Sequence, residues 1–186
     1  MTDNLVEKTL TRKEILTGNV IHVVVDEVEL PNHEKGQREI VLHPGAVAIM
    51  ALTSDKKMLF VRQFRKPLER TILEIPAGKI DPEDTDTLAT AKRELEEETG
   101  YQGEKWQFVA EYATSPGFSN EIMHTYLATD LVKVEDPLAQ DEDEFLQLVA
   151  YTLEEAKAGI KQGEIYDAKT IMAIQTWQAM TESGEL

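Results

Sequence analysis

The chain has 186 residues, a formal net charge of −16 and no cysteine, so disulfides and thiolate metal sites are excluded. Its length suits one domain of good size or a core domain with a small appendage, and its acidity argues against binding to nucleic acid or an anionic membrane surface. No apolar run approaches the ~20 residues of a membrane-spanning helix, and the polar N-terminus lacks a signal-peptide core, so we expect a cytoplasmic protein.

The first predicted elements form a small antiparallel β unit. Residues 20–30 (VIHVVVDEVEL) are rich in β-branched side chains and predict a strand, and REIVLH at 38–43 predicts its return after a turn. The stretch His43-Pro44-Gly45 then interrupts the pattern. We therefore divide the chain into an N-terminal β unit, residues 1–43, and a main domain, residues 44–186.

The main domain mixes predicted strands and helices. The strand-like segments are 46–53, 58–65, 71–78, 106–114, 121–134 and 145–152. The predicted helices are 86–99, 153–163 and 167–182; in the last of these, Ile171, Ile174 and Trp177 recur at three-residue spacing. This mixed order predicts an α/β sandwich.

Four glutamates crowd the C-terminal end of the predicted helix 86–99, in the stretch RELEEETGY at 93–101. The helix dipole disfavours negative charge there, and like charges one turn apart repel by roughly 0.2–0.5 kcal/mol per pair. On a helical projection Glu94 and Glu98 lie about 40° apart beside the apolar stripe, Glu97 flanks them, and Glu96 points away and is interpreted as a surface residue. A divalent cation would relieve the repulsion, because Mg²⁺ and Mn²⁺ prefer oxygen ligands. The helix alone leaves a metal site and a solvated acidic face equally open.

The helix and the loop before it resemble the Nudix box. In that pattern a glycine is followed after five residues by a glutamate and after seven more by R-E-U-x-E-E-x-G-U, where U is bulky and apolar. The second half is matched at every specified place, by Arg93, Glu94, Leu95, Glu97, Glu98, Gly100 and Tyr101. The first half is one residue longer than the pattern between Gly78 and Arg93, so Glu83 or Asp84 substitutes for the isolated glutamate.

The resemblance implies an α/β/α sandwich that hydrolyses a nucleoside diphosphate linked to another moiety. Family members bind a divalent metal ion through the first and last glutamates of the motif, here Glu94 and Glu98, often with Glu97 contributing. A main-chain carbonyl beside the first glycine commonly joins them, here that of Ala77. We therefore expect Mg²⁺, with Mn²⁺ as an alternative and more than one ion plausible in the site.

Outside the box, the chain is similar to the ADP-ribose pyrophosphatase subgroup over roughly residues 18–181. Pro116 stands sixteen residues beyond Gly100, and the segments QFR (63–65), EIPAG (74–78) and DEDEF (141–145) also resemble the subgroup. The resemblance implies hydrolysis of ADP-ribose to AMP and ribose 5-phosphate. It also implies a homodimer in which the N-terminal β unit crosses to the partner and helps to build the adenosine site.

The resemblance assigns further residues to the substrate. Arg65, in the cationic segment VRQFRK, is expected to clamp a diphosphate oxygen, which a guanidinium does in bidentate fashion, and Arg62 is a second candidate. Glu74 either assists the site or is an ordinary strand residue. A loop near the terminal ribose is expected to set specificity; it is formed by Pro116, Gly117 and Phe118.

The attacking water needs a base, and the subgroup takes it from the acidic loop before residues 145–152. Glu144 and Glu142 are the candidates, and the choice between them stays open. Two alternatives to ADP-ribose hydrolysis remain. The substrate could be another nucleoside diphosphate derivative, such as a nucleotide sugar or NAD, or the chain could be an inactive Nudix-like binding module, which only the departure in the first half of the box favours.

Overall fold

The computed structural model describes residues 5–81, 83–84, 86–140 and 145–186. The strands within these residues are β1 (Lys8–Thr17), β2 (His22–Glu29), β3 (Lys35–Leu42), β4 (Ala46–Ala51), β5 (Met58–Arg65), β6 (Arg70–Glu74), β7 (Ala77–Lys79), β8 (Tyr101–Ala113), β9 (Ile122–Lys133) and β10 (Gln147–Tyr151). The α-helices are α1 (Thr87–Thr99), α2 (Leu153–Gln162) and α3 (Ala168–Ser183), and a 3₁₀ turn spans Lys66–Leu68. This mixture of sheets and helices confirms the predicted α/β class.

The chain divides into two compact units, of which the first comprises described residues 5–45 together with 112–123. Its three strands form an antiparallel sheet in the order β1-β2-β3. The inward face of β2 carries Asp26, which is 1% exposed and accepts bonds of 2.7 and 2.8 Å from the guanidinium of Arg12 on β1. The exchange of this unit with a partner subunit stays a prediction.

Strand β1 is an element that the sequence analysis missed. Every one of its ten residues is exposed, so the sequence KTLTRKEILT has no buried face that would produce a strong alternation of apolar and polar side chains. Its pairing with β2 is what makes it a strand.

The second unit comprises the described residues within 46–111 and 124–186. It contains a three-stranded sheet in the order β10-β5-β6 and most residues of a four-stranded sheet in the order β7-β4-β9-β8. All six residues of β4 are buried. It contributes three residues to a core of apolar side chains: Val47, Ile49, Ala51, Leu59, Ala91, Leu95, Tyr126 and Ala128. Two of these, Ala91 and Leu95, come from α1, so the core anchors the acidic helix through its apolar stripe.

The predicted strand 71–78 is two strands in the structure. Strand β6 pairs with β5 in one sheet, whereas β7 pairs with β4 in the other. Pro76 lies between them, and proline interrupts a strand because it cannot donate a ladder hydrogen bond. The chain therefore changes sheets at Ile75–Pro76, which puts Glu74 at the end of one sheet and Ala77 at the start of the other.

The helix boundaries follow from their caps. Asp86 accepts a 2.8 Å bond from Ala89 N and begins α1, while Gly100, at φ 71°, ends it in the left-handed conformation. Thr152 and Glu155 form a capping box at the start of α2. None of the helices in the described part of the chain is long and apolar enough to cross a membrane.

Candidate active site around helix α1

Helix α1 presents Glu94, Glu97 and Glu98 as the periodicity predicts. Ala91 and Leu95 are fully buried against the core, and Glu94 and Glu98 lie beside them at 9% and 5% exposure. Glu97 is half-buried on the flank. Burying two carboxylates costs free energy unless their charges are compensated, so this face requires cationic or hydrogen-bonding partners.

Strand β7 supplies the first partners, because its backbone lies against both buried carboxylates. Ala77 N donates to Glu98 Oε2 at 3.1 Å. A Cβ added to Gly78 would lie 2.0 Å from Glu94 Cδ, which is closer than any side chain tolerates. The first glycine of the box is therefore required for the close approach of strand and carboxylate, and the Ala77 carbonyl predicted as a metal ligand belongs to this same strand.

Arg93 compensates much of the negative charge. Its Nη1 lies 2.9 Å from Glu94 Oε1 and donates to Glu97 Oε2 at 2.8 Å. Its Nη2 donates to Asp84 and Asp81 at 3.1 and 3.2 Å. Burial alone would lower the pKa of Arg93, but the hydrogen bond to Asp84 and the charges of Glu94 and Glu97 outweigh it and raise the pKa. Arg93 is thus charged at every relevant pH and lies among four carboxylates.

The one-residue insertion in the box places Asp84 at the arginine. Asp84 Oδ2 accepts from Arg93 and also from Thr90 Oγ1 at 2.9 Å and Asp81 N at 3.0 Å. Burial would raise the pKa of Asp84, but these hydrogen bonds, led by that of Arg93, lower it. Of the two residues left open by the sequence, Asp84 is the one whose carboxylate contacts Arg93, and its contacts are those of a residue that orients the loop and the arginine.

Arg65 lies at the end of β5 with its guanidinium on Glu74. Nε donates to Oε1 at 2.6 Å and Nη2 to Oε2 at 3.0 Å. Glu74 is 2% exposed and also contacts Lys169 Nζ of α3. Burial would raise the pKa of Glu74, but the bond from Arg65 and the charge of Lys169 lower it, so the carboxyl is ionised. Lys169 in turn bonds Asp167 at 3.0 Å.

Sequence reasoning missed Lys169 and Asp167. Lys169 and Glu74 are 95 residues apart in the chain, and no local pattern connects them. The one available signal was the helix start at Asp167, whose carboxylate accepts from Thr170 N at 3.2 Å and caps α3.

Arg62 has a different environment from Arg65. Its Nη2 donates to Glu164 at 2.5 Å, and the Tyr151 hydroxyl donates to the same carboxylate at 3.2 Å. Side chains three residues apart on a strand point to opposite faces. The structure therefore does not group Arg62 with Arg65, although the sequence named both for the substrate.

Glu96 is not the plain surface residue that the helical projection indicated. Its Oε2 accepts from Gln102 Nε2 at 2.7 Å, and its Oε1 accepts from the backbone N of Leu138 at 3.2 Å. Both partners come from segments that follow the helix in the chain, which a projection of the helix alone does not include. Glu96 ties α1 to residues 134–138, where Val134 N also donates to Gly100 O at 3.0 Å.

The loop predicted to contact the terminal ribose belongs to the first unit. Its residues, Pro116, Gly117 and Phe118, form a turn closed by Ser115 O, which accepts from Phe118 N at 3.1 Å and from Ser119 N at 2.9 Å. Phe118 O accepts from Val41 N of β3 at 2.8 Å, and the Phe118 ring is 57% exposed. Glu142 and Glu144, the two candidates for the water-orienting base, lie outside the described residues.

The donors on α1 and β7 fit a hard divalent cation. Within the described ranges, no three Asp, Glu or His side chains are arranged to hold a metal ion by themselves. Mg²⁺ does not require such a set, because it is usually bound by one or two carboxylates together with water and substrate phosphates. Glu94 and Glu98 supply two buried carboxylates beside a strand backbone, so the chemistry of the site suits an ion that the substrate helps to bind.

Comparison with known proteins agrees with this geometry. Residues 42–173 match the family model described as NUDIX domain. The chain is 51% identical over 172 residues to the methanol dehydrogenase activator of Bacillus methanolicus, covering 92% of each chain. It is 50% identical over 175 residues to the ADP-ribose pyrophosphatase of Bacillus subtilis (strain 168), covering 94% of each, and 34% identical over 174 residues to that of Mycobacterium tuberculosis, covering 94% of this chain and 84% of the other. A crystal structure of an ADP compounds hydrolase superposes with a TM-score of 0.83 at 21% identity, covering 97% of each chain, and confirms the predicted sandwich fold.

Proposed function

Since this chain belongs to the Nudix family, we propose that it hydrolyses the diphosphate of ADP-ribose to AMP and ribose 5-phosphate. The observation that carries the proposal is the pair of buried glutamates, Glu94 and Glu98, held against Ala77 and Gly78 by the complete second half of the box. The 50% identity to the Bacillus subtilis ADP-ribose pyrophosphatase supports this substrate. In the reaction, water adds across the anhydride: its oxygen bonds one phosphorus, the bridging P–O bond breaks, and a proton is released.

We assign the metal site to Glu94 and Glu98, with Glu97 and the Ala77 carbonyl as further ligands. Enzymes of this family generally use a divalent metal ion, and we propose Mg²⁺, with Mn²⁺ able to replace it and the number of carboxylates supporting more than one ion. When bound, the metal neutralises the diphosphate charge and lowers the pKa of a water molecule. Arg93 keeps the glutamates from repelling one another before substrate arrives.

Arg65 is proposed to stabilise the charge that develops on the phosphoryl oxygens, since a guanidinium forms charge-assisted bonds to phosphate. Glu74 holds the guanidinium in place in the meantime. Glu144 or Glu142 is proposed to orient the attacking water. Pro116, Gly117 and Phe118 are proposed to contact the terminal ribose.

The proposed setting is a cytoplasmic homodimer whose N-terminal β unit reaches the partner's adenosine site. The absence of cysteine from the sequence supports a reducing compartment. The many exposed apolar side chains of residues 5–21, among them Leu10, Ile15 and Leu16, support a covering partner. Sedimentation of the wild type and of a chain lacking residues 1–43 tests the assembly; a monomeric wild type would contradict it.

The direct test of the proposed function is AMP release from ADP-ribose in the presence of Mg²⁺. The wild type is expected to release AMP. Glu98→Gln is expected to lower the rate by about 10²-fold or more, because loss of a metal ligand removes charge stabilisation that the metal ion supplies. Glu96→Gln is the matched control, since it makes the same charge change on the same helix and keeps an oxygen acceptor for Leu138 N. A wild type that releases no AMP, or a Glu98→Gln variant with undiminished release, would overturn the proposal.

A panel of substrates distinguishes ADP-ribose from other nucleoside diphosphate derivatives. The panel compares ADP-ribose, NAD and nucleotide sugars by kcat/KM. It includes GDP-mannose, because the chain is also similar to GDP-mannose pyrophosphatases, such as one from Yersinia enterocolitica at 34% identity over 139 residues.

The remaining alternative, an inactive binding module, is tested by Mg²⁺ titration. Binding of metal to the folded state raises the unfolding free energy by about 2.7 kcal/mol at 100 times Kd, and Glu98→Gln is expected to reduce that gain.

A second candidate function is stimulation of a methanol dehydrogenase, which the 51% identity to the Bacillus methanolicus activator favours. The test adds wild-type protein or Glu98→Gln to a methanol dehydrogenase and follows alcohol oxidation. A stimulation by the wild type that is lost in the variant would connect this function to the same site, whereas no stimulation by the wild type would exclude it.

A further inference from the structure

We infer that Lys169, the second residue of α3, is a positioning residue that sets how Arg65 is presented to an anionic substrate, acting through the Glu74 carboxylate that both cations contact. The inference rests on the proposed function of Arg65 and extends the site to a helix that the Nudix box does not include.

The two cations compete for one oxygen. Arg65 Nε donates to Glu74 Oε1 at 2.6 Å, and Arg65 Nη2 donates to Oε2 at 3.0 Å. Lys169 Nζ contacts the same Oε2. The longer of the two arginine bonds is thus the one to the shared oxygen, and a substrate phosphate that approached Nη2 would have to replace the weaker of the two interactions.

The cluster is balanced in charge. It contains two carboxylates, Glu74 at 2% exposure and Asp167 at 18%. It also contains two cations, Arg65 at 40% exposure and Lys169 at 11%. Burial would lower the pKa of Lys169, but the charges of Asp167 and Glu74 raise it, so the ammonium is present at neutral pH. The partial exposure of Arg65 leaves it the cation that a ligand can reach.

Removal of the ammonium changes the balance that Arg65 experiences. Glu74 would then have Arg65 as its cationic partner, and a buried carboxylate that accepts two bonds from one guanidinium holds it strongly. The cluster around Arg65 would also carry a net negative charge, which adds to the negative charge of Glu98 that already acts on the arginine. Both changes disfavour the approach of a diphosphate.

The anchoring of α3 does not depend on this ammonium alone. Thr170, the next residue, is fully buried, and its Oγ1 accepts from Ile75 N of the sheet crossover at 3.0 Å. Asp167 caps the helix by accepting from Thr170 N. When the ammonium is removed, the Thr170 bond therefore still joins the helix to the sheet crossover, and the Asp167 cap still closes its first turn.

The test compares Lys169→Met, Lys169→Arg and Lys157→Met in steady-state hydrolysis of ADP-ribose. Lys169→Met is expected to lower kcat/KM by about 10- to 100-fold, as loss of a group that orients a ligand does, and Lys169→Arg is expected to recover most of it because it keeps the charge. Lys157→Met removes the same charge from α2, where Lys157 pairs with Glu154, and is expected to leave kcat/KM unchanged. Lys169→Gln serves in place of the Met variant if urea unfolding finds the latter unfolded.

A double-mutant comparison distinguishes positioning from structure. In an Arg65→Ala background, Lys169→Met is expected to have no further effect on kcat/KM, because its effect passes through the arginine. Equal losses in both backgrounds, or full activity of Lys169→Met in the wild-type background, would overturn the inference while leaving the proposed hydrolysis intact. Binding of ADP, measured by calorimetry, is expected to weaken in Lys169→Met and gives a readout that does not depend on turnover; equal affinity in wild type and variant would also overturn it.

Discussion

The carboxylate of Glu94 occupies the space that a side chain at Gly78 would need. A Cβ at position 78 would lie 2.0 Å from Glu94 Cδ and 2.2 Å from both carboxylate oxygens. Gly78 is not among the residues with positive φ, so backbone conformation does not demand a glycine there. The glycine is needed because strand β7 and helix α1 approach so closely.

We predict that Gly78→Ala lowers activity with little loss of stability. The Glu94 carboxylate is the end of a flexible side chain and can rotate away from the new methyl group, but it then leaves its place in the site. A displacement of about 1 Å in a catalytic arrangement can cost about 10²-fold, so kcat/KM is expected to fall by that order. Gly36→Ala is the control, because its Cβ would meet a flexible Leu30 methyl at 3.2 Å. Wild-type activity in Gly78→Ala would contradict the role of the close approach.

Arg93→Met is predicted to destabilise the protein, because it leaves the carboxylates of Asp84, Glu94 and Glu97 without their common cation. The side chain is 28% exposed, so the expected loss is about 1–2 kcal/mol, between the values for exposed and buried ion pairs. Urea unfolding at pH 7 measures it. The neighbouring exposed Lys92→Met makes the same change in net charge and is expected to have no comparable effect; equal midpoints for the two variants would argue against the network.

The ion pairs of Glu74 predict a specific pH dependence. The folded-state pKa of Glu74 is lowered from its ordinary value of 4.5, so its contribution is present above that pH and is lost as pH falls through the folded-state pKa. Glu74→Gln is therefore expected to be less stable than the wild type by about 3 kcal/mol at pH 7. The difference should shrink in acid, where the wild-type carboxyl also becomes neutral.

Unfolding free energies of the wild type and Glu74→Gln between pH 3 and pH 7 check this convergence. The exposed Glu104→Gln is the control and should run parallel to the wild type throughout. A stability difference between Glu74→Gln and wild type that stayed constant down to the lowest pH would show that folding does not lower the pKa of Glu74.

Thr170→Val is predicted to weaken the connection between α3 and the sheet crossover. The valine matches threonine in shape but cannot accept from Ile75 N, and a buried N–H without a partner costs about 1–3 kcal/mol. Thr181→Val, at an exposed position of the same helix, is the control for the loss of a hydroxyl. Equal unfolding midpoints for the two variants would mean that the N–H finds another partner.

Elements with a strong hydrophobic period were predictable from the sequence. The predicted strand 58–65 has the same first and last residues as β5. Helix α1 lies within one residue of its predicted bounds, because its apolar stripe and caps are local signals. Strand β1, with every residue exposed, has no such signal and exists through its pairing with β2. The division of the predicted strand 71–78 at Pro76 could have been predicted from the proline. The assignment of its two parts to different sheets depends on which strands are neighbours in space.

For the candidate site, the sequence by itself determined the chemistry of α1: the periodicity places Glu94 and Glu98 side by side next to a buried stripe, and a helix fixes that relationship within a few residues. Only the tertiary structure decided what surrounds them. The contact of Gly78 with Glu94, the tie from Glu96 to Leu138, and the sharing of Glu74 by Arg65 and Lys169 join segments from different parts of the chain. Local periodicity specifies which face a side chain takes, whereas the charge that it meets there depends on the packing of distant strands and helices.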